Sequence, residues 1–180
     1  MKENALKPHF EALIRDLFAR VPFLNLESLR PEEGLIQNSD YLPDWLAEVR
    51  VGDRHWTLVV EDKRFGEPRV VRSCVLQLKS YLSSMQKGRH FYPLLLAPFI
   101  SEKSARICIE AGVGYADLAG NAYLSFDHMF INIRTAQNPF REKRELRSLF
   151  TPKAGRVLMV LLTPPLRSWK VEELAKESRV

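Results

Sequence analysis

Residues 43–65 read Pro43-Asp44-Trp45-Leu46-Ala47-Glu48-Val49-Arg50-Val51-Gly52-Asp53-Arg54-His55-Trp56-Thr57-Leu58-Val59-Val60-Glu61-Asp62-Lys63-Arg64-Phe65. Val51-Gly52-Asp53-Arg54 has the form of a two-residue hairpin loop, with glycine at the first central position as a type II′ turn requires. If Val51 pairs with Arg54, stepping outward along both strands gives every other opposed pair. One face then holds Trp45, Ala47, Val49, Trp56, Leu58 and Val60. The other holds Asp44, Glu48, Arg50, His55, Thr57, Glu61 and Lys63, with Leu46 and Val59 among them. Such a division of apolar from polar residues is what a strand pair half-facing a core demands.

The same stepping sets Asp44 opposite Glu61, with Lys63 two residues farther on Glu61's face. Opposed Cβ atoms in an antiparallel pair lie about 5 Å apart. Two carboxylates at that spacing repel, and a hard dication between them removes the conflict. Mg²⁺ (or Mn²⁺) accepts one or two carboxylates and keeps its other positions for water and phosphate oxygens. Lys63 beside that ion would stabilise charge developing on a phosphate. The pattern therefore points to metal-assisted phosphodiester hydrolysis with Asp44, Glu61 and Lys63 at its centre.

Working outward, residues 4–20 carry Leu6, Phe10, Leu13, Ile14, Leu17 and Phe18 at helical spacing, and Val21-Pro22 ends that helix. Residues 23–40 are polar, include Pro31 and Gly34, and read as a loop. After the hairpin a helix is expected over 68–87, with Val71, Cys74, Val75, Leu78, Leu82 and Met85 inward. Residues 91–98 form a continuous apolar run, the mark of a strand buried on both faces. Ser101 caps a helix to Ala111, and Gly112 stops it. A short strand at 115–118, a Gly120-Asn121 turn and a hairpin over 122–134 turning at Asp127-His128 complete a mixed α/β sheet flanked by helices. Residues 135–151 read as a basic linker. Residues 152–180 hold two short helical patterns, the first stopped by Pro164-Pro165.

Composition sets the outer limits. The chain has 180 residues, of which 46% are hydrophobic, and a net charge of +5, as expected of one sizeable core with a small appendage. No signal peptide and no membrane span is apparent, and Cys74 and Cys108 lack metal-ligand spacing, so a cytoplasmic location in a reducing environment is expected. Residues 1–134 balance 17 basic against 17 acidic side chains, whereas 135–180 hold 10 against 5. The excess charge therefore sits at the tail, where Arg141, Lys143, Arg144 and Arg147 read as a solvated face. His9, His55, His90 and His128 show no ligand spacing, and no serine has a triad arrangement. Turn chemistry accounts for Asp117 and the Gly120-Asn121 pair.

Pro43-Asp44 followed by Glu61-Asp62-Lys63 resembles the PD-(D/E)XK motif of the restriction-endonuclease-like nucleases. Gln77-Leu78-Lys79-Ser80-Tyr81 resembles the Q-h-x-x-Y element of their RecB-like branch. Gln77 and Tyr81, four apart, share one helical face. The resemblance covers about residues 1–134 and implies a restriction-endonuclease-like fold and an Mg²⁺-dependent DNA endonuclease. In it, Asp44 and Glu61 bind metal, Gln77 and Tyr81 contact substrate or brace the site, and an acidic residue of the first helix, here Glu11, completes the ligands. It also places the main-chain carbonyl of Asp62 near the metal. The family's usual apolar residue at that position is replaced by Asp62, whose carboxylate is expected to reach solvent at the strand's end. Many such nucleases cut as homodimers. Pro152 to Val180 resembles the first two helices of a winged helix-turn-helix domain, which implies that the groove-reading helix lies beyond Val180, in a longer protein. The competing expectation is a nuclease fold without turnover, serving as a DNA-binding or regulatory protein.

Overall fold

The computed structural model describes residues 6–31, 42–85, 88–135, 139–140, 151–164 and 167–180. The chain divides into two compact units, Met1–Phe140 and Arg141–Val180. The first is built from α1 (Lys7–Ala19), β1 (Leu24–Pro31), β2 (Trp45–Val51), β3 (Arg54–Asp62), α2 (Pro68–Ser83), β4 (His90–Ala97), α3 (Glu102–Glu110), β5 (Gly114–Asp117), β6 (Ala122–Phe126) and β7 (Met129–Ile133). The strands form one seven-stranded sheet in chain order. β1, β2 and β3 pair antiparallel, β3–β4 and β4–β5 pair parallel, and β5, β6 and β7 pair antiparallel. The unit is thus α/β, a mixed sheet with helices on its faces.

The hairpin adopts the register its turn dictates, from Val51↔Arg54 to Trp45↔Val60. Gly52 takes φ +58° while Asp53 keeps a negative φ, as a type II′ turn requires. The second hairpin turns at Asp127, a non-glycine residue at φ +52°. Residues 24–31, expected as loop, instead form edge strand β1. A bulge explains the difference. Leu24 and Leu26 face the same way, then the register slips at Glu27, so that the next inward residue is Leu29 rather than Ser28.

Two apolar layers sandwich the sheet. On one face Phe10, Ile14, Leu17 and Phe18 of α1 pack on Ala47, Val49, Leu58 and Val60. On the other, Val71, Cys74, Leu78 and Tyr81 of α2, with Ala105 and Cys108 of α3, cover Leu46, Val59, Leu95 and Ala97. At about 1.5–3 kcal/mol per large buried side chain, these layers outweigh any single polar contact. β4 is buried from Tyr92 to Ala97 on both faces, as its continuous apolar run predicts. Ser101 caps α3 by accepting the Ser104 N–H at 3.3 Å. The Ser104 hydroxyl donates to the Gly66 carbonyl at 2.6 Å, tying α3 to the loop after β3. Asp117, fully buried, accepts the N–H groups of Ile100 and Asn121 and the Asn121 Nδ2, each at 2.8 Å. Its role is to close the β5–β6 turn against the end of β4.

The second unit contains α4 (Pro152–Leu162), capped by the Thr151 side chain, and α5 (Val171–Ser178). Most of the expected basic linker, along with Pro165, lies outside the described residues. Among the described residues no helix is long and apolar enough to cross a membrane.

Candidate functional site

Glu61 lies next to the last residue of β3, and Lys63 follows one residue beyond the strand. Glu61 follows Val59 on the α2 face and is 3% exposed. The Lys63 main chain is clamped to β4 by its N–H on the Leu96 carbonyl at 2.9 Å. Its ammonium donates to Glu61 Oε1. Burial pulls the Lys63 pKa down, but the bond to Glu61 and the Glu61 charge raise it further, so the net shift is upward. Lys63 is therefore a fixed cation and an unsuitable general base. The Asp44 charge is also felt at Lys63 and at the Cys74 thiol beneath it. Burial, followed by the nearby Glu61 charge, pushes that thiol far above its ordinary value, which makes Cys74 an inert packing group.

Asp44 stands one residue before the paired region, so the ladder stops one step short of the expected Asp44–Glu61 pair. Its Oδ2 accepts the Asp62 N–H at 2.9 Å. Its Oδ1 lies 3.9 Å from the ammonium of Lys7 on α1. Asp44 thus continues the hairpin with its side chain where the ladder has ended. Both acids and Lys63 gather at the same end of β2–β3, with Asp44 adding a contact to α1.

The other sequence candidates separate. Asp62 does not reach solvent: it is 2% exposed, on the α1 face, and accepts the Trp45 indole N–H at 3.0 Å. Burial raises its pKa; the Trp45 bond opposes this, and the Asp44 charge adds to it. Glu11 pairs with Arg15 at 2.9 Å on the outer side of α1. Lys7, which the sequence reading passed over, is the α1 residue that meets Asp44; it also lies 5.7 Å from the Trp45 ring centre. Gln77 is exposed, whereas Tyr81 is 2% exposed within the α2–α3 core. Among the described residues no three His, Cys, Asp or Glu side chains are grouped to hold a metal ion.

A second feature lies on the same sheet face, beyond the cover of α2. A groove of about 660 Å³ is lined by residues including Arg30, Glu48, Arg54, His55, Thr57 and Arg89. Glu48 accepts the Thr57 hydroxyl at 2.9 Å, and Arg54 pairs with Asp127 at 2.8 Å. Beside them the bulged Glu27 is shared between Arg50 and His55, at 3.1 Å each. His55 and Thr57 were read from sequence as mere polar-face residues, and Arg30 fell in the stretch read as loop. Alternation after the bulge is the signal that would have placed it.

No family model, curated protein or solved structure matches the chain.

Proposed function

We propose that this chain is a metal-dependent nuclease of the restriction-endonuclease-like type, hydrolysing DNA phosphodiester bonds with Asp44, Glu61 and Lys63. The observation that carries the reading is the hairpin register, which gathers both acids at one strand end with the Lys63 ammonium on Glu61. The mixed sheet flanked by helices supports it.

The donor set suits Mg²⁺ or Mn²⁺, which need only one or two carboxylates besides water and phosphate oxygens. Asp44 and Glu61 would hold the ion, and Asp62 would add its main-chain carbonyl, since its carboxylate is committed to Trp45. Such an ion supplies charge neutralisation at the phosphate and acidifies a bound water. The protein's own groups do the rest. Glu61 orients Lys63, whose positive charge would face the oxygen on which negative charge develops. The Asp62 N–H fixes the Asp44 carboxylate. Gln77, exposed on α2, is free to reach substrate, while Tyr81 braces the helix from inside.

Cleavage of plasmid and branched DNA in Mg²⁺ or Mn²⁺ tests this. Lys63→Gln should lower the rate by about 10²–10³-fold, the usual loss when one group stabilising transition-state charge is removed. Undiminished cleavage removes the mechanism. A second reading, a nuclease fold that binds DNA without cutting it, is favoured by the lysines already set against both acids, Lys63 on Glu61 and Lys7 near Asp44. That reading gains if cleavage is absent and DNA binding ignores both metal and Asp44→Ala.

A further inference from the structure

We propose that Lys7 is a built-in counter-cation for Asp44: its ammonium balances that carboxylate when no dication is bound and so holds down the site's affinity for metal; this rests on the reading of Asp44 as a metal ligand. Asp44 Oδ2 is taken by the Asp62 N–H at 2.9 Å, and Oδ1 is the oxygen turned toward Lys7. The Lys7 ammonium lies 3.9 Å from it. A charge-assisted hydrogen bond spans about 2.7–2.9 Å, so the two groups attract by charge without a bond. Glu61 differs, because the Lys63 ammonium donates to it directly. Lys7 is therefore the lysine that can move aside at little cost. With Lys7 40% and Asp44 27% exposed, water takes up either charge when they part.

Trp45 fixes where that ammonium waits. Its indole N–H donates to Asp62 at 3.0 Å, and its ring centre lies 5.7 Å from the Lys7 ammonium, within reach of a cation–π attraction. Asp62 feels the same charges: burial raises its pKa, the Trp45 bond opposes this, Asp44 adds to it and Lys7 relieves it. Lys7 is thus a cation common to both carboxylates. Its place on its own helix argues the same way. Lys7 is the first residue of α1, whose first turn holds no acidic side chain. A helix N-terminus carries partial positive charge and disfavours a cation there. Helix chemistry gives no reason for a lysine at this position, whereas the facing acids do. To any dication at Asp44, Lys7 is a like charge.

The experiment titrates the full chain with Mn²⁺ alone, without DNA, and follows the electron paramagnetic resonance signal of the unbound ion. Lys7→Met should bind Mn²⁺ about tenfold more tightly than the native chain, the order of effect expected when one unit charge is removed from beside a dication in water. Lys7→Arg, which keeps the charge, should bind like the native chain. So should Lys103→Met, which removes an exposed lysine of α3 and controls for net charge. The gain should vanish in Lys7→Met/Asp44→Asn. By linkage, a fixed Mn²⁺ concentration should also raise the melting temperature more in Lys7→Met than in the native chain. Equal or weaker binding by Lys7→Met overturns the proposal. So does a gain that survives the loss of Asp44, a gain matched by Lys103→Met, or failure of both the native chain and Lys7→Met to bind Mn²⁺. Tighter Mn²⁺ binding without DNA cleavage sinks only the nuclease reading; Lys63-dependent cleavage with an affinity indifferent to Lys7 sinks only the counter-cation.

Discussion

Asp62 lies between Glu61 and Lys63 in sequence, yet its carboxylate is on the other side of the sheet, bonded to Trp45 of the neighbouring strand. Period-two alternation puts it on that face, so its direction was legible. Its burial was not, because the reach of an indole across a strand pair leaves no mark on spacing. Lys7 was missed for a similar reason: its meeting with Asp44 depends on how α1 crosses the sheet. Asp117 carries the prediction at this scale. Burial raises its carboxyl pKa against four hydrogen bonds that lower it, those of Ile100, the Asn121 side chain, and the Asn121 and Ala119 backbone. The folded pKa thus exceeds the unfolded value near 3.8. The stability that this group contributes is full below pH 3.8 and declines as pH rises through the folded pKa. Asp117→Asn turns an acceptor into a donor facing donors and should cost about 2 kcal/mol. Urea unfolding at several pH values should show that deficit greatest near pH 3.5 and smaller at pH 7; a deficit growing with pH overturns the assignment.

At the scale of elements, the β2–β3 hairpin was fully legible because a glycine turn and strict alternation fix one register between them. β1 was not, since one extra residue at Glu27 exchanges its faces midway and hides the strand behind a polar, proline-containing stretch. Two glycines bear on this part of the sheet in different ways. A Cβ at Gly52 would meet nothing within 4 Å but would suffer a φ of +58°. A Cβ at Gly66 would stand 2.0 Å from the Phe99 carbonyl oxygen, where the loop after Lys63 lies against the chain leaving β4. Gly52→Ala should therefore cost about 1 kcal/mol through backbone strain. Gly66→Ala should cost about 2–3 kcal/mol through a backbone clash that no rotamer relieves. Chemical denaturation midpoints check the order; equal costs would mean the Gly66 loop moves aside freely.

For the whole molecule, both apolar layers, from Leu6 to Met129, lie inside the first unit. A chain ended at Phe140 should keep the sheet's cooperative melting within about 3 °C, whereas a fall beyond about 8 °C, equivalent to at least 1 kcal/mol, would show that the second unit props it up. The arrangement of strands has a consequence for synthesis. Because position in the sheet follows position in the chain from β1 to β7, no late strand has to wedge between two that are already joined. A polypeptide leaving the ribosome can add each new strand to a waiting rim, pausing only where α2 and α3 must form before the next parallel partner can return.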